Sequence, residues 1–313
     1  MIIKHNIEIS SICWLAGSYG DKKSYAKNYY IPETTDELVN LCSKLYKTNQ
    51  SFDLIGHTSN LYFKPGYRTE NLITTRKLTK WVENEDHIWC ECGVNVKSLS
   101  RRMVELGIKG FAGLIDLPGT VGAGIYGNAG CFGDVFSNLV ESVIILLNDG
   151  NIMELSKDDL SFQKRSSSLK RHKINGIIVS AKLKKEYGNA AKTKALALRN
   201  HEIRKRTQPG PKNNLGSVFK YKKDLTVKGK IIIGISALLA KLRHPSIPSS
   251  KLFKEKTVIA CWLLNKKNIS EFLPYGFNRY VWSSCSAHDL FDLYIKTYKE
   301  IYKNADLEIE IKQ

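Results

Sequence analysis

Residues 113–133, GLIDLPGTVGAGIYGNAGCFG, place seven glycines among small and apolar side chains. A backbone without Cβ atoms can come close to a ligand, and successive turn amides can cradle an anionic group. The segment has neither the lysine-serine ending of a P-loop nor the G-x-G-x-x-G spacing of a Rossmann turn, so the standard nucleotide folds are disfavoured. A second segment, LIGHTSN at 54–60, offers one glycine with Thr58, Ser59 and Asn60 as hydrogen-bond partners. Glycine turns in an αβ core would explain either segment taken alone.

The rest of the chain alternates helical and strand patterns. TTDELVNLCSKLY at 34–46 opens on threonine caps and acidic residues and then sets Leu38, Leu41, Cys42 and Leu45 on one face, which predicts an amphipathic helix. A helix over about 95–106, with Leu99, Met103 and Leu106 inward, stops at Gly107. Residues 143–155 read as two strands around Asp149-Gly150, a hairpin dipeptide whose two positions both favour positive φ, and 173–183 reads as a further strand. A lysine- and alanine-rich stretch at 184–198 predicts a helix leading into a new domain, with a boundary near 190. Near the C-terminus, 286–303 predicts one docked helix capped by Ser286, with Leu290, Tyr294, Tyr298 and Ile301 on its inner face. LEIEIK at 307–312 alternates as a half-buried strand.

A net charge of +18 and a pI of about 9.5 would suit either nucleic acid or small anionic molecules. The lysines are scattered, and no RNA-recognition strand or recognition helix is apparent, so anionic small molecules are favoured and nucleic acid is not expected as a partner. The apolar runs, such as VIILL at 143–147, fall short of the ~20 residues of a membrane span, and none is expected. MIIKHNIEIS has no secretory pattern, which points to the cytoplasm. Seven cysteines without metal-ligand spacing predict reduced thiols, no disulfide and no metal site.

Five ordered segments carry a family resemblance. LPGTVGAGIYGNAGCFGD, LIGHTSNLYF, FQKRSS at 162–167, QPGPKNNLGSVFK at 208–220 and LEIEIK resemble the signature stretches of the UDP-N-acetylenolpyruvoylglucosamine reductases, flavoenzymes of peptidoglycan precursor synthesis. The chain departs from that pattern at His57 and Thr58, where two glycines are usual, at Asp116 for glycine, at Lys164 for tyrosine and at Tyr221 for asparagine, while 243–275 show little likeness. The resemblance implies an α+β protein. Its FAD-binding domain would be of the vanillyl-alcohol-oxidase type over 1–190, in two subdomains split near 75, followed by a smaller α+β substrate-binding domain over 191–313.

The same resemblance implies FAD and NADPH as cofactors and a nucleotide sugar as substrate. FAD would be held non-covalently by Gly56, His57, Thr58, Ser59 and Asn60 and by Pro118, Gly119, Thr120, Val121, Gly122, Asn128, Ala129 and Gly130. The family reaction moves a hydride from NADPH through the flavin to an enolpyruvyl ether, leaving a carbanion or enolate that needs a proton donor and a stabilising charge. Ser217 matches the proton donor, Arg165 the enolate stabiliser and Glu310 the carboxyl group that assists, while Lys220 would either lower the cost of the serine's lost proton or bind the substrate diphosphate. Two alternatives stand beside this: a paralogue acting on another nucleotide sugar of polysaccharide synthesis, and a sugar or alcohol oxidase with FAD linked covalently to His57 or, less readily, to Cys131. Isolated, each of these polar residues would read as an ordinary solvated loop or edge residue.

Overall fold

The computed structural model describes residues 1–15, 23–210, 213–220, 224–245 and 249–313. Tyr221, and Pro211 and Lys212 of the QPGPKNNLGSVFK segment, lie outside the described residues. In chain order the elements are β1 (Ile2–Glu8), β2 (Tyr25–Ile31), α1 (Thr35–Lys47), β3 (Asp53–Ile55), β4 (Leu61–Phe63), β5 (Arg68–Thr74), β6 (Trp81–Glu83), β7 (His87–Glu91) and α2 (Val96–Glu105). There follow α3 (Val121–Tyr126), β8 (Gly130–Cys131), β9 (Asp134–Val135), α4 (Phe136–Leu139), β10 (Val140–Leu147), β11 (Ile152–Ser156), β12 (Gly176–Lys184) and α5 (Ala190–Thr207). The C-terminal elements are α6 (Val227–Arg243), α7 (Ser249–Leu263), α8 (Cys285–Asp289), α9 (Phe291–Ile301) and β13 (Glu310–Lys312).

Contacts divide the chain into two compact units, each assembled from separate stretches: Met1–Ile7, Tyr25–Thr58 and Arg68–Arg204 in the first, Glu8–Ser24, Ser59–Tyr67 and Lys205–Gln313 in the second. The boundary expected near 190 therefore stands against a change of unit at 204/205, inside α5, and two short N-terminal stretches join the second unit. The first unit holds a four-stranded sheet ordered β1-β2-β5-β3 and a five-stranded sheet ordered β11-β10-β12-β7-β6. The β2, β5 and β3 pairings are parallel and the pairings within the second sheet are antiparallel. The first sheet ends at Thr74 and the second begins at Trp81.

Local chemistry explains the first unit's elements. Thr34 caps α1 by accepting the Glu37 amide, Asp36 and Glu37 sit at its positive end, and Leu38, Leu41, Cys42 and Leu45 are buried. Asn95 caps α2, which ends before Gly107 at φ +76°. The hairpin at Asp149-Gly150 differs from the expectation. Residues 148–151 form the loop, only Gly150 (φ +91°) is left-handed, and the Asp149 carboxylate accepts the Asn151 amide at 2.9 Å. A side-chain bond of this kind stabilises a longer loop with ordinary φ at the aspartate.

The second unit is built on aromatic packing. Tyr62, Phe219, Phe272, Tyr280, Trp282, Phe291, Tyr294 and Tyr298 are buried together. Phe219 and Tyr298 stack at 3.7 Å, while Tyr294 and Tyr280 donate their hydroxyls to the Phe277 and Ala287 carbonyls at 2.7 and 2.6 Å. This is how a tyrosine-rich core stays satisfied. The expected helix over 286–303 is two helices meeting at Leu290, and Ser284, not Ser286, stands at the N-cap of the first. The break lets His288 turn inward, where its Nδ1 lies 3.0 Å from the Tyr62 hydroxyl.

Burial pushes the His288 pKa down from 6.5 to about 4, partly offset by Asp289. Between those values the unfolded chain binds a proton that the folded one refuses, so stability is complete above 6.5 and falls as pH drops toward 4. The gap is worth ~3 kcal/mol. Thermal unfolding followed by circular dichroism from neutral pH down to about pH 4 should show this loss. His288→Gln should flatten the slope. An unchanged slope would remove His288 as its source.

Candidate active site

The two glycine-bearing segments, far apart in sequence, converge in the first unit. A Cβ at Gly56 would sit 2.5 Å from Thr120 Oγ1, so only glycine permits this approach. His57 Nδ1 lies 3.4 Å from Asn95 Nδ2, and Asn95 itself bridges to Thr120. Thr58 is buried at φ +57°, where two glycines would have been free to turn, and the Gly56 carbonyl accepts the Arg76 guanidinium at 3.1 Å. Burial first, and the Arg76 charge second, hold the His57 pKa below its ordinary value, so the ring stays neutral near pH 7.

Among the described residues, the amides of His57, Gly119 and Thr120 have no backbone partner. These donors, with the close backbone approach at Gly56, fit an anionic diphosphate. Other amides of the glycine-rich segment are already engaged. Val121 and Gly122 donate to the Val94 and Cys92 carbonyls at 2.9 and 2.8 Å, and Asn128 and Ala129 donate to Ile125 and Gly124 at 3.0 and 2.7 Å. Thr120 caps α3 by accepting the Ala123 amide. The first turn of α3 therefore presents few spare donors, and Val121, Gly122, Asn128 and Ala129 shape the backbone more than they offer amides. Pro118 is half-buried ahead of them, and Gly130 pairs with Val135.

The N-A-G turn is joined to the FQKRSS segment. Buried Asn128, at φ +43°, donates its amide to the Gln163 carbonyl at 2.8 Å and accepts from the Ser137 amide at 3.0 Å. Ser167 donates to the Tyr126 carbonyl at 2.7 Å. Gln163 and Ser166 exchange both backbone hydrogen bonds, at 3.0 and 3.1 Å, which puts Lys164-Arg165 at the tip of a tight turn with Arg165 at φ +55°. A non-glycine residue held there is strained. The turn thereby sets the direction of the half-buried Arg165 side chain.

In the second unit, backbone pairing gathers Ser59, Asn60, Ser217, Lys220 and Glu310. The Asn60 side chain donates to the Glu308 carbonyl at 3.0 Å, and its own carbonyl accepts the Glu310 amide at 3.0 Å. Beyond this point β13 runs parallel to β4, with Glu310 opposite Leu61. On its other side the C-terminal segment pairs with the Ser217 stretch: Glu308 donates to the Val218 carbonyl at 2.8 Å, Phe219 bridges Leu307, and Lys220 donates to Asp306 at 2.9 Å. Half-buried Ser217 follows Gly216 at φ +74°, whose amide donates to Asn214 Oδ1 at 3.1 Å.

Two neighbours of Ser217 escaped sequence reasoning. Asn278 accepts the Phe219 amide at 2.7 Å and donates to its carbonyl at 2.9 Å, standing in for a strand partner. The Arg279 Nη1 lies 3.9 Å from where a Gly216 Cβ would be, which places a cation at the Ser217 turn. Both belong to YGFNRY at 275–280 and lie just beyond the stretch of least likeness, where nothing local marks them. Asp116 belongs to the first unit. It contacts His201 Nδ1 at 2.6 Å and lies 3.7 and 3.5 Å from Lys97 and Arg101. Burial would raise its pKa, but the His201 hydrogen bond and these cations outweigh it and keep the carboxyl below its usual range.

Comparison with known proteins bears on this arrangement. The family model described as FAD binding domain matches residues 26–156. The reductase of Caldicellulosiruptor saccharolyticus named UDP-N-acetylenolpyruvoylglucosamine reductase is 28% identical over 62% of this chain, which spans 63% of that relative's length. The protein of the same name from Prochlorococcus marinus subsp. pastoris is 31% identical over 63% of this chain and 67% of its own length. Among solved structures, the UDP-N-acetylenolpyruvylglucosamine reductase of Thermus caldophilus superposes over 100% of both chains with a TM-score of 0.68 at 18% identity, a likeness of fold. The architecture is α+β with an FAD-binding part, and the chain belongs to the UDP-N-acetylenolpyruvoylglucosamine reductase family.

Proposed function

We propose that this protein reduces the enolpyruvyl ether of UDP-N-acetylglucosamine-enolpyruvate to UDP-N-acetylmuramate in the cytoplasm, with NADPH as the reductant. The observation that carries this reading is the backbone pairing that brings the Ser217 stretch and the Glu310 stretch together, since the chemistry needs a proton donor and a carboxyl group at one place. When bound, FAD supplies the hydride taken from NADPH. Gly56, His57, Gly119 and Thr120 would hold its diphosphate, with Thr58, Ser59, Asn60, Pro118, Val121, Gly122, Asn128, Ala129 and Gly130 forming the surrounding backbone. No helix among the described residues is long and apolar enough to cross a membrane.

Reduction of the enol ether leaves negative charge on the carbon beside the carboxylate. Ser217 would deliver the proton to that carbon, and a serine does so only where fixed charges lower the cost of its alkoxide. Lys220 and Arg279 are cations suited to that task or to the substrate diphosphate. Arg165 would steady the enolate through its planar fork, and Glu310 would hold or replenish the proton. Asn278 is a positioning residue, acting through the Phe219 backbone.

The purified protein should be yellow, bleach anaerobically with NADPH and recolour when the enolpyruvyl sugar nucleotide is added; recolouring only by a different nucleotide sugar would assign it to another branch of polysaccharide synthesis. Denaturation should release all the flavin. Flavin that stays on the chain, and is freed by His57→Ala, would favour an oxidase with a covalent link.

Gly56→Ala should lower flavin occupancy several-fold, because its methyl group would meet Thr120 Oγ1 at 2.5 Å. Full occupancy measured by absorbance would dismiss this loop as the diphosphate site. Ser217→Ala should keep the flavin and its bleaching but slow reoxidation by substrate by about 10²–10⁴-fold. Glu310→Gln should share that defect and Glu308→Gln should not, because of the two glutamates it is Glu310 that matches the family pattern. Normal reoxidation in the Ser217 or Glu310 variant, followed by stopped-flow absorbance, would strike that residue from the mechanism.

A further inference from the structure

In the second unit, α6 packs small residues inward, keeps Ile232, Ile233 and Leu239 half-buried, and leaves a stripe of its large apolar residues outward. Gly229, Ser236 and Ala240 are buried, and a Cβ at Gly229 would come within 2.0 Å of the Ile301 carbonyl, so this face is closely packed. Val227, Ile231, Ile235, Leu238 and Leu242 are 75, 56, 41, 59 and 67% exposed. Their spacing of four, four, three and four keeps them on one stripe, about 22 Å long and roughly opposite the packed face. A helix apolar on both faces is normally covered on both.

The charges around the stripe indicate what covers it. Lys230 and Lys241 are exposed along one edge, and Lys228 and Arg243 lie toward the other, with Lys228 paired to Glu300. α6 contains no aspartate or glutamate. A second copy of this surface would set these cations against their own kind. An anionic surface complements them, and the chain's net charge of +18 adds long-range attraction.

We propose that α6 docks this face onto an anionic lipid surface, lying in the interfacial plane without crossing it. The five apolar side chains enter the headgroup–acyl boundary, and Lys230, Lys241 and Arg243 reach the lipid phosphates along their flexible stems. α6, at 17 residues, is too short and too mixed to span. The docking is independent of the reaction assigned above.

Sedimentation of the full-length protein with vesicles of phosphatidylcholine containing phosphatidylglycerol, against vesicles of phosphatidylcholine alone, tests this. The protein should pellet with the anionic vesicles and be released as salt is raised. Ile231→Glu with Leu238→Glu should cut pelleting at least about tenfold while far-ultraviolet circular dichroism stays unchanged. Should that variant misfold, Lys230→Gln with Lys241→Gln leaves the stripe intact and should lower the preference for anionic vesicles. The proposal fails if neither vesicle binds the protein or if the folded variants pellet like the parent. It also fails if the stripe proves to be buried in a dimer that forms without lipid, as shown by sedimentation velocity and abolished by the double glutamate variant.

Discussion

Asn60 grips the C-terminal segment on both sides of one residue. Its side-chain amide bonds the Glu308 carbonyl and its carbonyl receives the Glu310 amide, so Ile309 is pressed into the aromatic core at 4% exposure. Each bond is worth only ~1 kcal/mol net. Their effect is geometric: they set the register of β13 on β4 and so decide which way Glu308 and Glu310 face. The same segment supplies the bonds to Val218, Phe219 and Lys220, and the Ser217 turn takes its position from them. A unit assembled from three stretches of chain thus depends on a seam of backbone hydrogen bonds.

The first unit solves a different problem. Its glycine-rich segment has to bring the backbone close to the neighbouring strand end as well as to a ligand, and the first use consumes donors that the second might have had. Val121 and Gly122 are tied to Val94 and Cys92, and what remains for an anion is the turn before the helix and the loop around His57. Neutral His57 and the buried Thr58 fill the space that glycines would leave open in that loop. Asn128 and Ser167 then fasten the glycine-rich segment to the turn carrying Arg165, so the candidate cofactor segment and the candidate enolate stabiliser are tied together.

Signals confined to one turn of chain were legible. Thr34 caps the helix it was expected to open, α2 lies where a helix over about 95–106 was expected and ends before Gly107 with positive φ, and the strands at 140–156 and 176–184 stand where alternation and turn residues put them. Misread features were those in which a side chain or a distant residue outvotes local preference. Asp149 keeps ordinary φ because its carboxylate bonds Asn151, and the helix over 286–303 breaks at Leu290 while His288 lies against Tyr62. Asn278 could not be found because its partner, Phe219, is 59 residues away.

The sequence by itself determined the family, the α+β class, the glycine-rich segments and the chemistry-bearing residue types, because motif order and helical or strand period are properties of neighbours along the chain. Only the tertiary structure decided which amides remain open to a ligand, which residues hold the Ser217 turn, and that α6 carries its apolar stripe outward. Hydrogen-bond occupancy and burial depend on atoms brought together from remote parts of the chain, and periodicity can reveal that a helix has an apolar face without revealing whether anything covers it.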